Sequence, residues 1–284
     1  MPESAISVEH LDKFFPPARS GWRAFLQPFE PATSPALVGL SLQIREGVSV
    51  ALIGVNGAGK STLLRILATL LLPTAGHARV AGHDVAQSAR AVRRHLGYHS
   101  GTDHGFYPRL SARQNLQFFG RLNQLSRSAA AQRIAALAQQ FHFGDSLDRQ
   151  VRTLSTGTVQ RLSLARAVLH QPSVLLLDEP TRSLDAIAAA DFRRFLKSEI
   201  LQRGRTSLLF ASHILSEVEL LADRVAIIDQ GRLLAFDAPA ALKNYTAADT
   251  LEDAFLRITG RSSYPDDTSH TILGAGRRSE GGPP

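Results

Sequence analysis

The sequence predicts an α/β fold built on a mainly parallel sheet, and three observations carry that prediction. Short apolar runs, Ser49 to Ile53, Val174 to Leu177, Thr206 to Ala211 and Val225 to Ile228, recur along the chain. Helical stretches such as Ala186 to Leu201 separate them, the alternation expected of strands and crossover helices. Between about 111 and 170 the strand series is interrupted by helical patterns alone, which predicts a lobe inserted in the sheet.

The bulk properties allow such a fold and exclude several chemistries. With 284 residues, 44% hydrophobic and 20% charged, the chain can bury a core, and its composition is neither disordered nor collagenous. The absence of cysteine removes thiol nucleophiles, cysteine zinc sites, iron–sulfur clusters and disulfides. The longest run without a charged residue, Pro31 to Ile44, has 14 residues and two prolines, short of the roughly 18 that a spanning helix needs. Met1 to Phe15 carries Glu3, Glu9 and Asp12 and no secretory pattern, so the expected location is cytoplasmic. The net charge is +7, and between Val85 and Arg121 six arginines (Arg90, Arg93, Arg94, Arg109, Arg113 and Arg121) face the single acid Asp103. A basic excess of this kind fits nucleic acid, an anionic membrane surface or phosphorylated ligands, and a local cluster taken alone is more often a solvated basic face.

Ile6 to Leu11 alternates as a short strand does. Pro16 to Pro35 holds five prolines and is expected to be an insertion with at most a short helix from Ser20 to Leu26. Leu40, Leu42 and Ile44 then alternate, and the near-continuous run Ser49 to Ile53 has the pattern of a strand buried on both faces. Ser111 with Gln114 forms a capping box opening a helix through roughly Leu125, and Ser128 to Phe143 forms a second. Asp229-Gln230-Gly231-Arg232 is expected to turn a hairpin. The end of the chain, from Ser262, is rich in Gly, Ser, Asp and Pro and expected to be flexible.

Two motifs carry chemistry. Gly54-Val55-Asn56-Gly57-Ala58-Gly59-Lys60-Ser61 follows an apolar strand and precedes the helical stretch Thr62 to Leu72. Glycines let backbone N–H groups converge on phosphate oxygens, the helix N-terminus adds its positive end, Lys60 reaches the β and γ phosphates, and Ser61 can ligate magnesium. Asp178 and Glu179 end the run Val174 to Leu177, where Asp178 can hold the magnesium shell and Glu179 can orient and deprotonate an attacking water.

A third element, Leu154-Ser155-Thr156-Gly157-Thr158-Val159-Gln160-Arg161, makes the chain resemble the ATP-binding cassette family. The resemblance implies a phosphate-loop ATPase fold, with an antiparallel β lobe and a helical lobe beside the parallel core, that binds ATP and Mg2+ and hydrolyses ATP. It implies that Ser155 and Gly157 contact the γ-phosphate held by an opposite subunit, in a homodimer or a pair with a related ATPase chain. Gly54, Asn56, Gly57, Ala58, Gly59, Lys60, Ser61 and Thr62 would line the nucleotide. Asp185, in Ser183-Leu184-Asp185, matches the loop crossing the dimer interface, and His213, in Ala211-Ser212-His213, matches the γ-phosphate histidine. Gly82 falls where the family turns out of its antiparallel lobe.

The chain departs from the family's LSGGQ at Thr156 and Thr158, though an LSTG start is familiar in export-type members. The adenine-stacking aromatic, usually Tyr, corresponds to Phe15. Where the family places a glutamine after the strand His95 to His99, this chain has Ser100-Gly101-Thr102-Asp103-His104, so Thr102 or Asp103 could contact magnesium instead, with Asp103 favoured. Leu251 to Arg261 resembles the C-terminal segment of drug-resistance and polysaccharide exporter ATPases. The resemblance divides the chain into an ATPase domain over 1–240, with a helical lobe at about 100–170, a helical extension over 241–261 and a tail over 262–284. It implies an ATPase subunit, peripheral on the inner face of the cell membrane, that powers a separate transmembrane permease in export. The alternative, a soluble ATPase clamping ribosomes or DNA, usually has tandem cassettes or a long coiled coil, and this chain has neither, so no nucleic-acid partner is expected.

Overall fold

The computed structural model describes residues 4–16, 34–101, 105–182, 184–201 and 206–261. In chain order the strands are β1 (Ser4–Phe15), β2 (Ser34–Arg45), β3 (Ser49–Ile53), β4 (Ala75–Val80), β5 (His83–Asp84), β6 (Leu96–Ser100), β7 (Val174–Asp178), β8 (Ser207–Ala211), β9 (Arg224–Asp229) and β10 (Arg232–Asp237). The helices are α1 (Lys60–Leu67), α2 (Ala89–His95), α3 (Ala112–Leu122), α4 (Arg127–Gln140), α5 (Thr156–Val168), α6 (Ala186–Phe195), α7 (Leu215–Leu221), α8 (Pro239–Thr246) and α9 (Leu251–Thr259).

Two sheets result. The larger has the order β10-β9-β3-β8-β7-β6, parallel from β9 to β6 with β10 antiparallel at one edge. The smaller, antiparallel, has the order β2-β1-β4-β5. The continuous apolar runs are explained by burial on both faces. In β3, Ala51 and Ile53 belong to one core with Phe210, Val225 and the helical lobe, whereas Val50 and Leu52 belong to the other with Leu63, Leu67 and the smaller sheet. No strand residue of β3, β7 or β8 faces solvent, so alternation disappears from their sequence.

The Ser111 capping box is present in full, each side chain bonded to the other residue's backbone N–H. The β9–β10 turn has Gln230 at φ 49° and Gly231 at φ 76°, the pair of left-handed residues that suits strand twist. Several boundaries move. β1 runs four residues beyond Leu11, because a register shift between Val8 and Leu11, with His10 at φ 46°, breaks the alternation without ending the strand. β2 begins at Ser34, so Pro35 pairs with Phe14 inside a strand rather than closing an insertion; the helix expected at 20–26 and the tail at 262–284 lie outside the described residues. α1 stops at Leu67, since Thr69 adopts φ 61° and the apolar Leu70 and Leu72 beyond it are exposed. The stretch expected as one helix to Leu201 is α-helical to Phe195 and π-helical over Leu196–Leu201. α9 buries Leu251 and Phe255 in the larger core, and Ala254 beside them is also fully buried.

Candidate functional site

The chemistry gathers at the C-terminal ends of the parallel strands β3, β7 and β8, the edge at which open α/β sheets bind ligands. Residues 54–59 link β3 to α1. A Cβ on Gly54 would lie 2.2 Å from the Ile228 carbonyl, and one on Gly59, at φ 108°, would lie 2.4 Å from the Ala36 carbonyl. Only glycine allows the loop to press this closely against β9 and β2. The loop is further tied down by Gly231 N–H, which donates to Ala58 O at 3.0 Å. Asn56 and Gly57 face solvent, and Thr62 is half-buried in the first turn of α1. That turn has neither a side-chain cap nor an acid, so its N–H groups and positive dipole end suit an anion.

Lys60 is buried and donates from Nζ to Gly54 O at 2.5 Å and Val55 O at 3.0 Å. Burial lowers its pKa, opposed by the nearby Glu179 and Asp178 carboxylates. Ser61 Oγ donates to Asp178 Oδ1 at 3.1 Å. Burial raises the Asp178 pKa, with the Ser61 hydrogen bond opposing.

Glu179 has other partners. It sits at φ 48°, a strained position for a non-glycine residue, with its N–H donating to Ala211 O at 3.0 Å. Its Oε1 lies 3.7 Å from His213 Nδ1 and its Oε2 accepts from Arg182 at 3.0 Å. The His213 interaction most of all, then Arg182 and Lys60, hold its pKa below the usual carboxylate value against the effect of burial. Two adjacent carboxylates therefore have opposite environments, Asp178 shifted up by burial and Glu179 shifted down beside a histidine.

Ser212, the residue before His213, is held by partners that the sequence reading missed. Ser212 Oγ accepts from Ile214 N–H at 3.0 Å and donates to the buried Glu217 at 3.1 Å, which Arg193 binds at 3.0 Å. The available signal was a carboxylate on the apolar face of α7 beside Val218 and Leu221, which demands a cationic partner. Arg182 was missed because a spacing of three from Glu179 is uninformative outside a helix.

Lys60, Ser61, Asp178, Glu179 and His213 thus form one site beside the loop, and the other candidates are held by local contacts of their own or lie outside the described residues. Ser155 caps α5, accepting from Thr158 N–H at 3.3 Å, and is exposed; a Cβ on Gly157 would meet open space. Asp185 caps α6 through Ala188 N–H at 2.8 Å, a local role sufficient to account for it within the chain. Phe15 is exposed at the end of β1, with Lys13 Nζ 5.2 Å from its ring centre. Thr102, Asp103 and Ser183 lie outside the described residues. Among the described residues no cluster of three or more His, Asp or Glu could hold a metal unaided, and no helix is long and apolar enough to cross a membrane.

Residues 37–182 match the family model described as ABC transporter. The chain is 40% identical over 229 residues to the daunorubicin resistance ATP-binding protein DrrA3 of Streptomyces coeruleorubidus, covering 80% of this chain and 70% of that one. It is 34% identical over 242 residues to the Nod factor export ATP-binding protein I of Paraburkholderia xenovorans, covering 85% and 73%. Its fold matches a solved ATP-binding subunit of an ABC transporter with a TM-score of 0.77 at 22% identity, over 90% of this chain and 99% of that one. A phosphate loop, paired carboxylates and a histidine at one sheet edge, in a chain with these relatives, place it in the ABC transporter family as an ATP-binding, ATP-hydrolysing subunit.

Proposed function

We propose that this chain powers export through a separate transmembrane permease, hydrolysing ATP at sites shared between two ATPase subunits, either two copies or one copy and a related chain. The observation that carries this reading is the exposed start of α5: Ser155 faces solvent, and among the described residues nothing lies within 4 Å of a Cβ placed on Gly157, which leaves room for a second subunit to approach. The relatives named for drug resistance and for Nod factor export support the direction of transport.

In this reading Lys60 exchanges its loop carbonyls for the β and γ phosphate oxygens, while the loop N–H groups and the start of α1 hold the phosphates. Ser61 and Asp178 fit Mg2+, which is usually held by one or two carboxylates and the substrate phosphates and would neutralise developing phosphate charge. Glu179 orients a water and takes its proton as the water oxygen bonds to the γ-phosphorus and the bond to the ADP oxygen breaks. His213, beside Glu179, contacts the γ-phosphate. Phe15 offers a flat exposed face for the adenine, and Ser155 and Gly157 close over the nucleotide of the opposite subunit.

The subunit is peripheral on the inner membrane face. Arg90, Arg93, Arg94, Arg109 and Arg121 are exposed, as are Tyr107 and Leu122, basic and apolar side chains suited to a permease beside anionic lipid. Arg113 is instead paired bidentately with Asp148. Glu179→Gln tests the reading: it should bind ATP, lose hydrolysis by about 10²- to 10⁴-fold and trap an ATP-dependent dimer on gel filtration. Wild-type turnover would remove Glu179 as the base, and a persistent monomer would remove the shared sites.

A further inference from the structure

β6 sends into the interior a polar side chain that the hydrolysis scheme does not use. His99 is fully buried, with Nδ1 3.1 Å from Ser163 Oγ and Nε2 3.1 Å from Gln160 Nε2. Ser163 and Gln160 are also buried, and both belong to α5, the helix that begins at Ser155. Gln160 Nε2 also donates to Gly101 O at 3.4 Å. An amide nitrogen facing both a carbonyl and a ring nitrogen must donate to both, so the His99 proton sits on Nδ1 and is donated to Ser163.

The network continues on both sides. Gly101 N–H donates to Asp178 O at 2.9 Å, and a Cβ on Gly101 would lie 3.1 Å from the carbonyls of both Asp178 and Glu179. On the other side Arg166 reaches Ser163 Oγ at 3.5 Å and stacks over Phe106 and Phe119, 4.9 and 5.0 Å from their ring centres. A continuous set of contacts therefore joins the helix carrying Ser155 and Gly157 to the backbone of the two carboxylates, and the His99 ring is bonded to both α5 residues. A buried His-Ser-Gln set costs free energy that an apolar trio of similar volume would not, and what it supplies in return is a fixed relative geometry.

We propose that His99 is a positioning residue for ATP hydrolysis, locking α5 to the Asp178-Glu179 backbone so that Ser155 and Gly157 of one subunit and the catalytic carboxylate of the same subunit hold a fixed separation. The inference rests on the reading that Ser155 and Gly157 act on nucleotide. His99→Phe fills the volume without the hydrogen bonds, His99→Gln retains an acceptor facing Gln160, and Gln160→Leu removes the partner. Steady-state ATPase kinetics, ATP binding by the isolated chain and thermal unfolding are measured for each.

His99→Phe should lower kcat by about ten- to a hundredfold, the scale of a small misplacement of reacting groups, with ATP affinity retained. Gln160→Leu should act alike, the double variant should be no slower than the slower single one, and His99→Gln should recover most of the rate. Wild-type kcat in Gln160→Leu, multiplying losses in the double variant, or ATP affinity falling in step with kcat would overturn the inference. If His99→Phe does not fold, the His99→Gln and Gln160→Leu pair decides alone. Ser155→Arg is run in parallel: undiminished hydrolysis there overturns the underlying reading, whereas its loss together with normal His99 and Gln160 variants overturns only the positioning role.

Discussion

The phosphate loop and the start of α5 each present glycine at a helix N-terminus, yet they are held in opposite ways. In the loop, Gly54 and Gly59 are required by the fold itself, because any side chain would strike the Ile228 or Ala36 carbonyl. At α5, Ser155 is exposed, Gly157 has open space around it and the local hydrogen bonds are satisfied by Thr158. A residue fixed by its own chain and one with room for an approaching partner leave different marks, and mutation can separate them.

Lys60→Ala gives the largest effect on the first region. It removes a charge-assisted contact worth about 1.5–3 kcal/mol, so ATP affinity should fall roughly 10- to 150-fold in a binding titration. Unchanged affinity would break the assignment of the loop. The two glycines make the comparison direct. Gly54→Ala should destabilise the chain by about 1–3 kcal/mol through overpacking. Gly157→Ala should leave stability equal or raise it by up to about 1 kcal/mol, because alanine favours a helix, while lowering ATPase activity. Equal stability changes at the two sites would erase the distinction.

The smallest effect concerns Glu179. Its folded pKa lies below the unfolded value of 4.5, so its ionised form contributes stability above that value, lost as pH falls through the lower folded one. Arg182→Ala should move this loss, and the acid limb of hydrolysis if Glu179 sets it, slightly to higher pH, since the pair is partly solvent-screened and His213 remains the larger cause. A shift to lower pH would contradict the assigned cause.

The sheet and the phosphate loop were legible because strands buried on both faces leave continuous apolar runs and because a tight phosphate cradle demands glycine at fixed spacing. Ser111 and Gln114 were legible for a similar local reason, since a capping box satisfies both partners within four residues. β1 beyond Leu11 was not, because the bulge at His10 resets the alternation. Neither was the support of Ser212, since Ser212, Glu217 and Arg193 meet only when α6 and α7 pack together. Nor was the His99 network, whose members come from β6 and α5, 61 and 64 residues apart in the chain.

In the proposed scheme Ser155 and Gly157 act on nucleotide held by the other subunit. The direct measurement is ATPase activity after mixing Ser155→Arg with Lys60→Ala, each inactive alone, with mixed dimers verified by differential tagging. A mixed dimer has one site carrying both lesions and one carrying neither, so activity should return. If verified mixed dimers remain as inactive as either parent, the claim is contradicted.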